Sequence, residues 1–432
     1  MKKAQIPSLS GRRSTPPSGT KPTGNLAPRQ VKKLGEELAA YHAKFANLYK
    51  RREQRECAEF YLRGQLSDLE RKTVEPMVLA AKGCDLNAIR AGQQFLGEGR
   101  WDDAAILQRR EELVGTDLGE EDGVMICDGS GFPKKGEHSV GVARQYCGAV
   151  GKIANCQHGV FTVYCSRQGY TFVDRRLYVP EHWFSDDYAA KRERCGMPGD
   201  LKFKTEPELA LGMLRGVVER GVLPFRWVTA DEHYGMNPEF LDGVAALSKW
   251  YFAEVPVSTR VWVGKVEVIP PGKGEMGRPR TGPLVVKGTP PPQEVRQIAA
   301  QLPVRAWARY TIKEGSKGPI EADFAMVRAT SKRGRRPGDE VWVIFRCGLE
   351  EGAEIKVYLS NAPEDCALRT LVRISGLRWP VETALEEAKG ELGMDHYETR
   401  TWLGWHHQMT LTFLAHHFLL ALRLKLKKSL RP

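Results

Sequence analysis

The 432-residue sequence contains nine cysteines but no C-x-x-C pair, so the paired spacing of a zinc ribbon is absent. An odd cysteine count in so long a chain also argues against a disulfide framework, and reduced thiols in a cytosolic protein are the expectation. The N-terminus carries charges without the apolar run a secretory signal needs. The most apolar stretch, residues 409–422, is 14 residues long and includes His416 and His417. That is too short to span a bilayer and predicts a buried helix, hence a soluble protein with no membrane partner. No internal repeat is visible.

Acidic residues are scarce at the start of the chain. Residues 1–55 hold 13 Lys and Arg against 3 Asp and Glu, and this excess supplies most of the net charge of +12. Two further basic clusters lie at residues 328–336 and 423–431. Basic arms of this kind neutralise phosphates or remain as solvated tails.

Residues 1–30, rich in Pro, Ser, Gly and basic side chains, predict a disordered basic arm. Apolar residues recur every three to four positions from 31 to about 115, which predicts a small helical domain. Ser67 to Glu70 fits a capping box that opens a helix, and Gly64, Gly83 and Gly92 read as breaks between helices. The texture changes to strands in residues 116–258, in the order three strands, helix, strand, helix, strand. Residues 259–360 read as a β-rich insertion, with a Pro/Gly-rich loop at 269–292, and helices resume over 361–432.

Within this frame, residues 124–136 read VMICDGSGFPKKG, and taken alone they are a strand, an Asp-capped turn and a basic loop. A second apolar run, WVTAD, also ends in a carboxylate, Asp231. Open α/β sheets gather ligands at the carboxyl ends of their strands, and two Asp on neighbouring parallel strands would hold a hard divalent cation. A third acid lies in residues 377–393, LRWPVETALEEAKGELG. Pro380 fits only the first turn of a helix, so Glu382, Glu386 and Lys389 follow at i, i+4 and i+7 on one face. That face reads either as a solvated, salt-bridged surface or as part of a site. Cys127, beside Asp128, reads as a small buried apolar residue. The pairs His406–His407 and His416–His417 lack an acid at metal-ligand spacing.

Together these pieces resemble the insertion-sequence DDE transposases, in the branch with a Y-x2-R-x3-E-x6-K signature. Arg378, Glu382 and Lys389 match R-x3-E-x6-K without a gap, while Ser375 stands at the tyrosine position. DGSGFPKKG, TADEHYG and KGELGMDHYETR are also similar to this branch, and the likeness runs from about residue 60 to 420. The resemblance implies an α/β fold: a ribonuclease H-like catalytic domain interrupted by a β-rich insertion, with an N-terminal helical DNA-binding domain. It implies catalytic, metal-holding acids at Asp128, Asp231 and Glu382, two Mg²⁺ ions per site with Mn²⁺ as a substitute, and phosphate contacts from Arg378, Lys389, Lys134 and Lys135. It further implies double-stranded DNA as partner, a homodimer on that DNA, a place on the nucleoid, and a base-stacking aromatic among Trp262, Trp307 and Trp342. Two alternatives stay open: a domesticated DNA-binding protein without catalysis, and a nuclease of the same fold without strand transfer.

Deleting residues 1–30 should weaken DNA binding and flatten its salt dependence, since each neutralised phosphate adds a slope of about −0.9. Binding isotherms across a salt series check this, and an unchanged slope would make the arm a solvated tail.

Overall fold

The computed structural model describes residues 28–272, 282–315, 318–350 and 352–429, so nearly all of the expected basic arm lies outside the described residues. The chain divides into two compact units, residues 1–44 and 45–432. The described part of the first is one helix, α1 (Pro28–Ala43). The second opens with α2 (Arg52–Gln65), α3 (Val74–Lys82), α4 (Leu86–Gly97) and α5 (Asp103–Leu118).

Two details of this helical region differ from the sequence reading. Ser67 opens no helix: its hydroxyl donates to Gly64 O at 2.7 Å and closes α2, and the next helix begins after Thr73. The intervening loop is held by Lys72, whose buried Nζ donates to Gln65 O, Ser67 O and Glu391 O at 2.8, 2.5 and 2.6 Å. Three carbonyl acceptors at two helix ends satisfy one ammonium, and that geometry outcompetes a capping box. Gly64 and Gly92 also do not break helices. They lie inside α2 and α4, where a Cβ would stand 2.3 Å from Met77 Sδ and 2.6 Å from Val74 Cγ1, so they admit the neighbouring helix. Gly83 alone ends a helix, with φ of +70°.

The sheet follows. Its first strands are β1 (Val124–Pro133), β2 (Ala143–Cys147), β3 (Lys152–Cys165) and β4 (Tyr170–Tyr178). After α6 (Ala189–Arg194) and α7 (Glu206–Arg220) come β5 (Trp227–Ala230), α8 (Glu232–Gly235), α9 (Pro238–Ala246) and β6 (Trp250–Val255). Strands β1, β3 and β4 form an antiparallel meander, and β5 pairs parallel beside β1, then β6 beside β5. The order β4-β3-β1-β5-β6, with α7 as the crossover, is the ribonuclease H-like core that the resemblance implies. Strand β2 escaped the sequence reading because only Cys147 of its five residues is buried, leaving no apolar alternation to see.

The β-rich segment continues this same sheet. It comprises β7 (Arg260–Val263), β8 (Val268–Ile269), β9 (Leu284–Val285), β10 (Gln293–Glu294), α10 (Val295–Gln301), β11 (Ala308–Gly315), β12 (Gly318–Arg333), β13 (Arg336–Cys347) and β14 (Ile355–Ser360). Strand β14 pairs antiparallel with β6, so the order runs on as β6-β14-β13-β12-β7-β10, while β8 and β9 pair apart. The chain then forms α11 (Leu368–Gly376), α12 (Trp379–Gly390) and α13 (Trp402–Ser429).

Alternation along β1 decides which layer each side chain meets. Met125 and Cys127 enter the core with Ala210, Leu214 and Val217 of α7. Val124 and Ile126 enter the opposite core with Val381, Ala384 and Ala388 of α12 and Phe413 of α13. Both faces are therefore covered, as buried parallel pairs require. The apolar run at 409–422 lies in α13, and no described helix is long and apolar enough to cross a membrane.

The histidine pairs sit on this helix as packing groups. His407 Nδ1 meets Leu96 O at 2.9 Å and its ring stacks 3.8 Å from Trp101, His416 meets Thr171 and Glu387, and His417 meets Asp117. Burial pushes all four histidines below the ordinary value of 6.5, His407 and His417 to about 4. The unfolded chain therefore binds protons that the folded chain refuses. Stability should be complete above pH 6.5 and fall as pH drops toward 4, by up to about 3 kcal/mol for each of His407 and His417. Thermal unfolding at pH 7.5 and pH 5 checks this, and His407→Asn should flatten the slope.

Candidate active site

The parallel ladder between β1 and β5 runs from Val124↔Trp227 to Cys127↔Ala230, and the next residue on each strand is an aspartate. Asp128 and Asp231 thus stand side by side where the ladder ends. Beyond them the strands behave differently. Strand β5 stops, and Asp231 Oδ1 accepts the N–H groups of His233 and Tyr234 at 3.1 and 3.4 Å, capping α8. Strand β1 does not stop at Asp128, contrary to the sequence reading. It continues to Pro133 because β3 still partners it, from Asp128↔Phe161 to Pro133↔Cys156. Asp128 therefore marks the point where β1 loses one of its two neighbours.

The two glycines of DGSG have a spatial cause. A Cβ on Gly129 would stand 2.3 Å from His158 Nε2 and 3.0 Å from Glu206 Oε2, and one on Gly131 would stand 2.6 Å from Cys147 Sγ. His158 and Glu206 form a pair at 3.1 Å beneath the backbone that follows Asp128. The sequence reading missed this pair; its one signal was glycine at alternate positions of a strand, where a close neighbour is expected.

By strand alternation Asp128 shares its face with Ile126 and Ser130, toward α12. Helix α12 has Pro380 in its first turn, as expected. Its apolar residues Val381, Ala384, Leu385 and Ala388 press on the sheet. Glu382 Oε1 accepts from Arg378 Nη2 at 2.9 Å. Lys389 does not join Glu386 on a solvated face. Its Nζ donates to Ser130 Oγ at 2.8 Å and Gly131 O at 3.1 Å, fastening the helix to β1 just past Asp128. Glu386 is exposed.

The electrostatics tie the acids together. Burial, then the charge of Asp231, lifts the Asp128 carboxyl to about 7; Arg378 and the Gly129 N–H oppose the rise, and Glu382 adds to it. Burial also pushes the Cys127 thiol up, with both aspartates contributing, so it is the inert apolar residue expected. These are the marks of a hard-oxygen donor set short of positive charge, and a divalent cation fits it chemically. Each carboxylate commits one oxygen: Asp128 Oδ1 to its neighbour's N–H, Asp231 Oδ1 to α8 and Glu382 Oε1 to Arg378. Among the described residues no three His, Cys, Asp or Glu side chains are gathered closely enough to hold a metal. The acids are near enough to repel, since Asp231 and Glu382 both raise the Asp128 carboxyl.

Lys134 and Lys135 lie elsewhere. Strand β1 carries Lys134 six residues on from Asp128, about 20 Å at an extended rise. Lys134 Nζ stands 3.5 Å above the Tyr397 ring and donates to Tyr397 O at 3.3 Å, and burial lowers its pKa to about 8. Both lysines line a cavity of about 730 Å³ with Arg71, His138, Asp395 and Arg400. Of the three tryptophans singled out, Trp262 is buried, while Trp307 and Trp342 are half-buried against the two cores. Trp379, next to Arg378, is 53% exposed, with Lys313 Nζ 4.2 Å from its ring.

Residues 44–319 match the family model described as DDE superfamily endonuclease, more than half of the chain. That span includes Asp128 and Asp231 and ends before Glu382. The chain is similar to a probable transposase for insertion sequence element IS701 from Microchaete diplosiphon, 34% identical over 173 residues. The alignment covers 40% of this chain and 41% of that one, so it spans about two fifths of the relative's length. Among solved structures, the NurA nuclease from Sulfolobus solfataricus is similar at 10% identity over 66% of this chain and 86% of that one, with a TM-score of 0.25, too slight a likeness to bear weight.

The packing beneath DGSG makes a direct prediction. Gly129→Ala should cost about 1–3 kcal/mol, because its methyl overpacks against the His158 ring. Adding His158→Ala should recover much of that loss, a coupling that a urea-unfolding double-mutant cycle measures. Gly212→Ala, in α7 with open space at the Cβ, should instead stabilise by about 0.5–1 kcal/mol.

Proposed function

The chain belongs to the DDE superfamily of endonucleases, and from that premise we propose that it is a DNA transposase, which binds the ends of its insertion sequence, cleaves the DNA and joins the 3′-hydroxyl ends to target DNA. The observation that carries the reading is the pair Asp128 and Asp231, one step past the last parallel β1–β5 pair, with Glu382 in the same electrostatic field. In this reading the three carboxylates are the metal ligands and Mg²⁺, or Mn²⁺ in its place, is the cofactor. Two such ions, when bound, activate the attacking oxygen and stabilise the leaving one. No protein nucleophile is needed.

The remaining residues orient the parts. Arg378 steers the Glu382 carboxylate and offers its other N–H groups to a non-bridging phosphate oxygen. Lys389 fixes the backbone at Ser130 and Gly131, and with it the position of Asp128 relative to α12. Asp231 is oriented by two N–H groups of α8, which leave its second oxygen for a cation. Residues 31–115 are the helical DNA-binding domain, assisted by the basic arm, and the active species is a homodimer on double-stranded DNA. Lys134 and Lys135, in their own cavity, serve as more distant phosphate contacts.

The test is metal-dependent nicking and joining of a labelled duplex carrying the DNA end that flanks the reading frame. Asp128→Asn, Asp231→Asn and Glu382→Gln should each reduce nicking to the level seen without metal, while end binding persists. Glu386→Gln should remain within about twofold of the parent, as an exposed substitution does. Arg378→Ala and Lys389→Ala should lower cutting by roughly 10²-fold with little change in end binding, since they position rather than attract. Activity in all three acid variants would sink the metal-site reading. Cutting without joined products would make the protein a nuclease, and binding without cutting would favour a domesticated DNA-binding protein.

A further inference from the structure

The hairpin formed by β2 and β3 presents apolar side chains to solvent close to the end of β1 that follows Asp128. Tyr146 and Ile153 are cross-strand partners, 65% and 63% exposed, and Val150 in the connecting turn is 43% exposed. A single exposed apolar residue needs no account, but three on one hairpin form a patch. The hairpin is well anchored on its other side. Cys147 is fully buried against Gly131, and the turn Gly148–Val150 packs on β1. Gly131 follows Ser130, the residue gripped by Lys389, and lies three positions beyond Asp128. The patch is thus held in place near the candidate acids by contacts that leave its outer face uncovered.

The charge around the patch points to the occupant. Arg144 and Lys152 are exposed on the same hairpin, and from His138 to Val173 the chain contains no Asp or Glu. A second copy of this chain is a poor partner for the hairpin, because pairing edge strand β2 with itself offers no acid from either hairpin to Arg144 or Lys152. A nucleic-acid duplex suits both features: phosphates for the cations and base steps for the apolar groups. We propose that the β2–β3 hairpin is a wedge that enters the DNA beside the scissile position, with Tyr146, Val150 and Ile153 against unstacked base pairs and Arg144 and Lys152 on the flanking phosphates. The proposal rests on the reading of the acids as a DNA-cutting site.

The test compares the full-length protein with Tyr146→Ala/Val150→Ala/Ile153→Ala, whose exposed positions leave folding intact, as a melting curve verifies. A duplex end carrying 2-aminopurine next to the scissile position reports unstacking in Ca²⁺, without cutting. Nicking in Mg²⁺ is then measured on a fully paired end and on one with mismatches at that position. The parent should raise the fluorescence and the triple variant should not. On the paired end the variant should cut at least about tenfold more slowly, with the loss recovered on the mismatched end, as removal of an unstacking group demands. Equal fluorescence, or an equal loss on both ends, overturns the wedge. A shift from dimer to monomer in sedimentation with DNA distortion unchanged also overturns it and makes the hairpin a protein interface. Unstacking by a parent that cuts neither end supports the wedge and sinks the transposase reading; cutting without unstacking does the reverse.

Discussion

Two aspartates at the end of one parallel ladder, partly withdrawn from water, are the constraint around which the rest of the molecule is arranged. Such a pair is unfavourable by itself, because burial and like charge both disfavour the ionised form, and the rise of Asp128 to about 7 expresses that cost. The fold offsets it with partial charges. The first N–H groups of α8 face Asp231, the Gly129 N–H faces Asp128, and Arg378 brings a full positive charge to the same field. None of these groups takes all of the available oxygens, so the arrangement tolerates the charge without cancelling it.

Holding the third carboxylate near the other two is a matter of packing. Helix α12 is pressed onto β1 by small and aliphatic residues and locked in its axial position by Lys389 at Ser130 and Gly131. Its far end is tied to the helical region by Lys72, which bonds Glu391 O as well as the end of α2. The ribonuclease H-like core alone supplies Asp128 and Asp231; the helices that follow the extended sheet supply Glu382.

Much of this was legible in the sequence, and what was hidden had physical causes. Strands β1 and β5 announce themselves because parallel strands buried on both faces read as continuous apolar runs. Pro380 fixes the start of α12 because a proline fits a helix only there. The continuation of β1 past Asp128 was hidden because Gly129, Ser130 and Gly131 have turn-like composition, and their small size answers to His158 and Cys147 across the sheet. Strand β2 was hidden because its exposed side chains interrupt the apolar pattern. The false helix start at Ser67 and the misread role of Gly64 share one cause: local propensity was overridden by partners distant in sequence, Lys72 with Glu391 in the first case and Met77 in the second. The position of Lys134 depends on how far an extended strand carries it, which follows from β3's pairing and not from composition.

The way β14 returns to pair with β6 has a consequence for how the protein comes into being. Asp231 and Glu382 are separated in the chain by all of β7 to β14, so α12 is synthesised only after every strand of the extended sheet. A ribosome therefore delivers the two aspartates well before the glutamate, and β7 and β14 pair with non-local partners, the slow class of folding event. During that interval the nascent protein has its helical region and no complete carboxylate set. Maturation is ordered by topology: the two aspartates can take their places at β1 and β5 before the helix that carries Glu382 has been made.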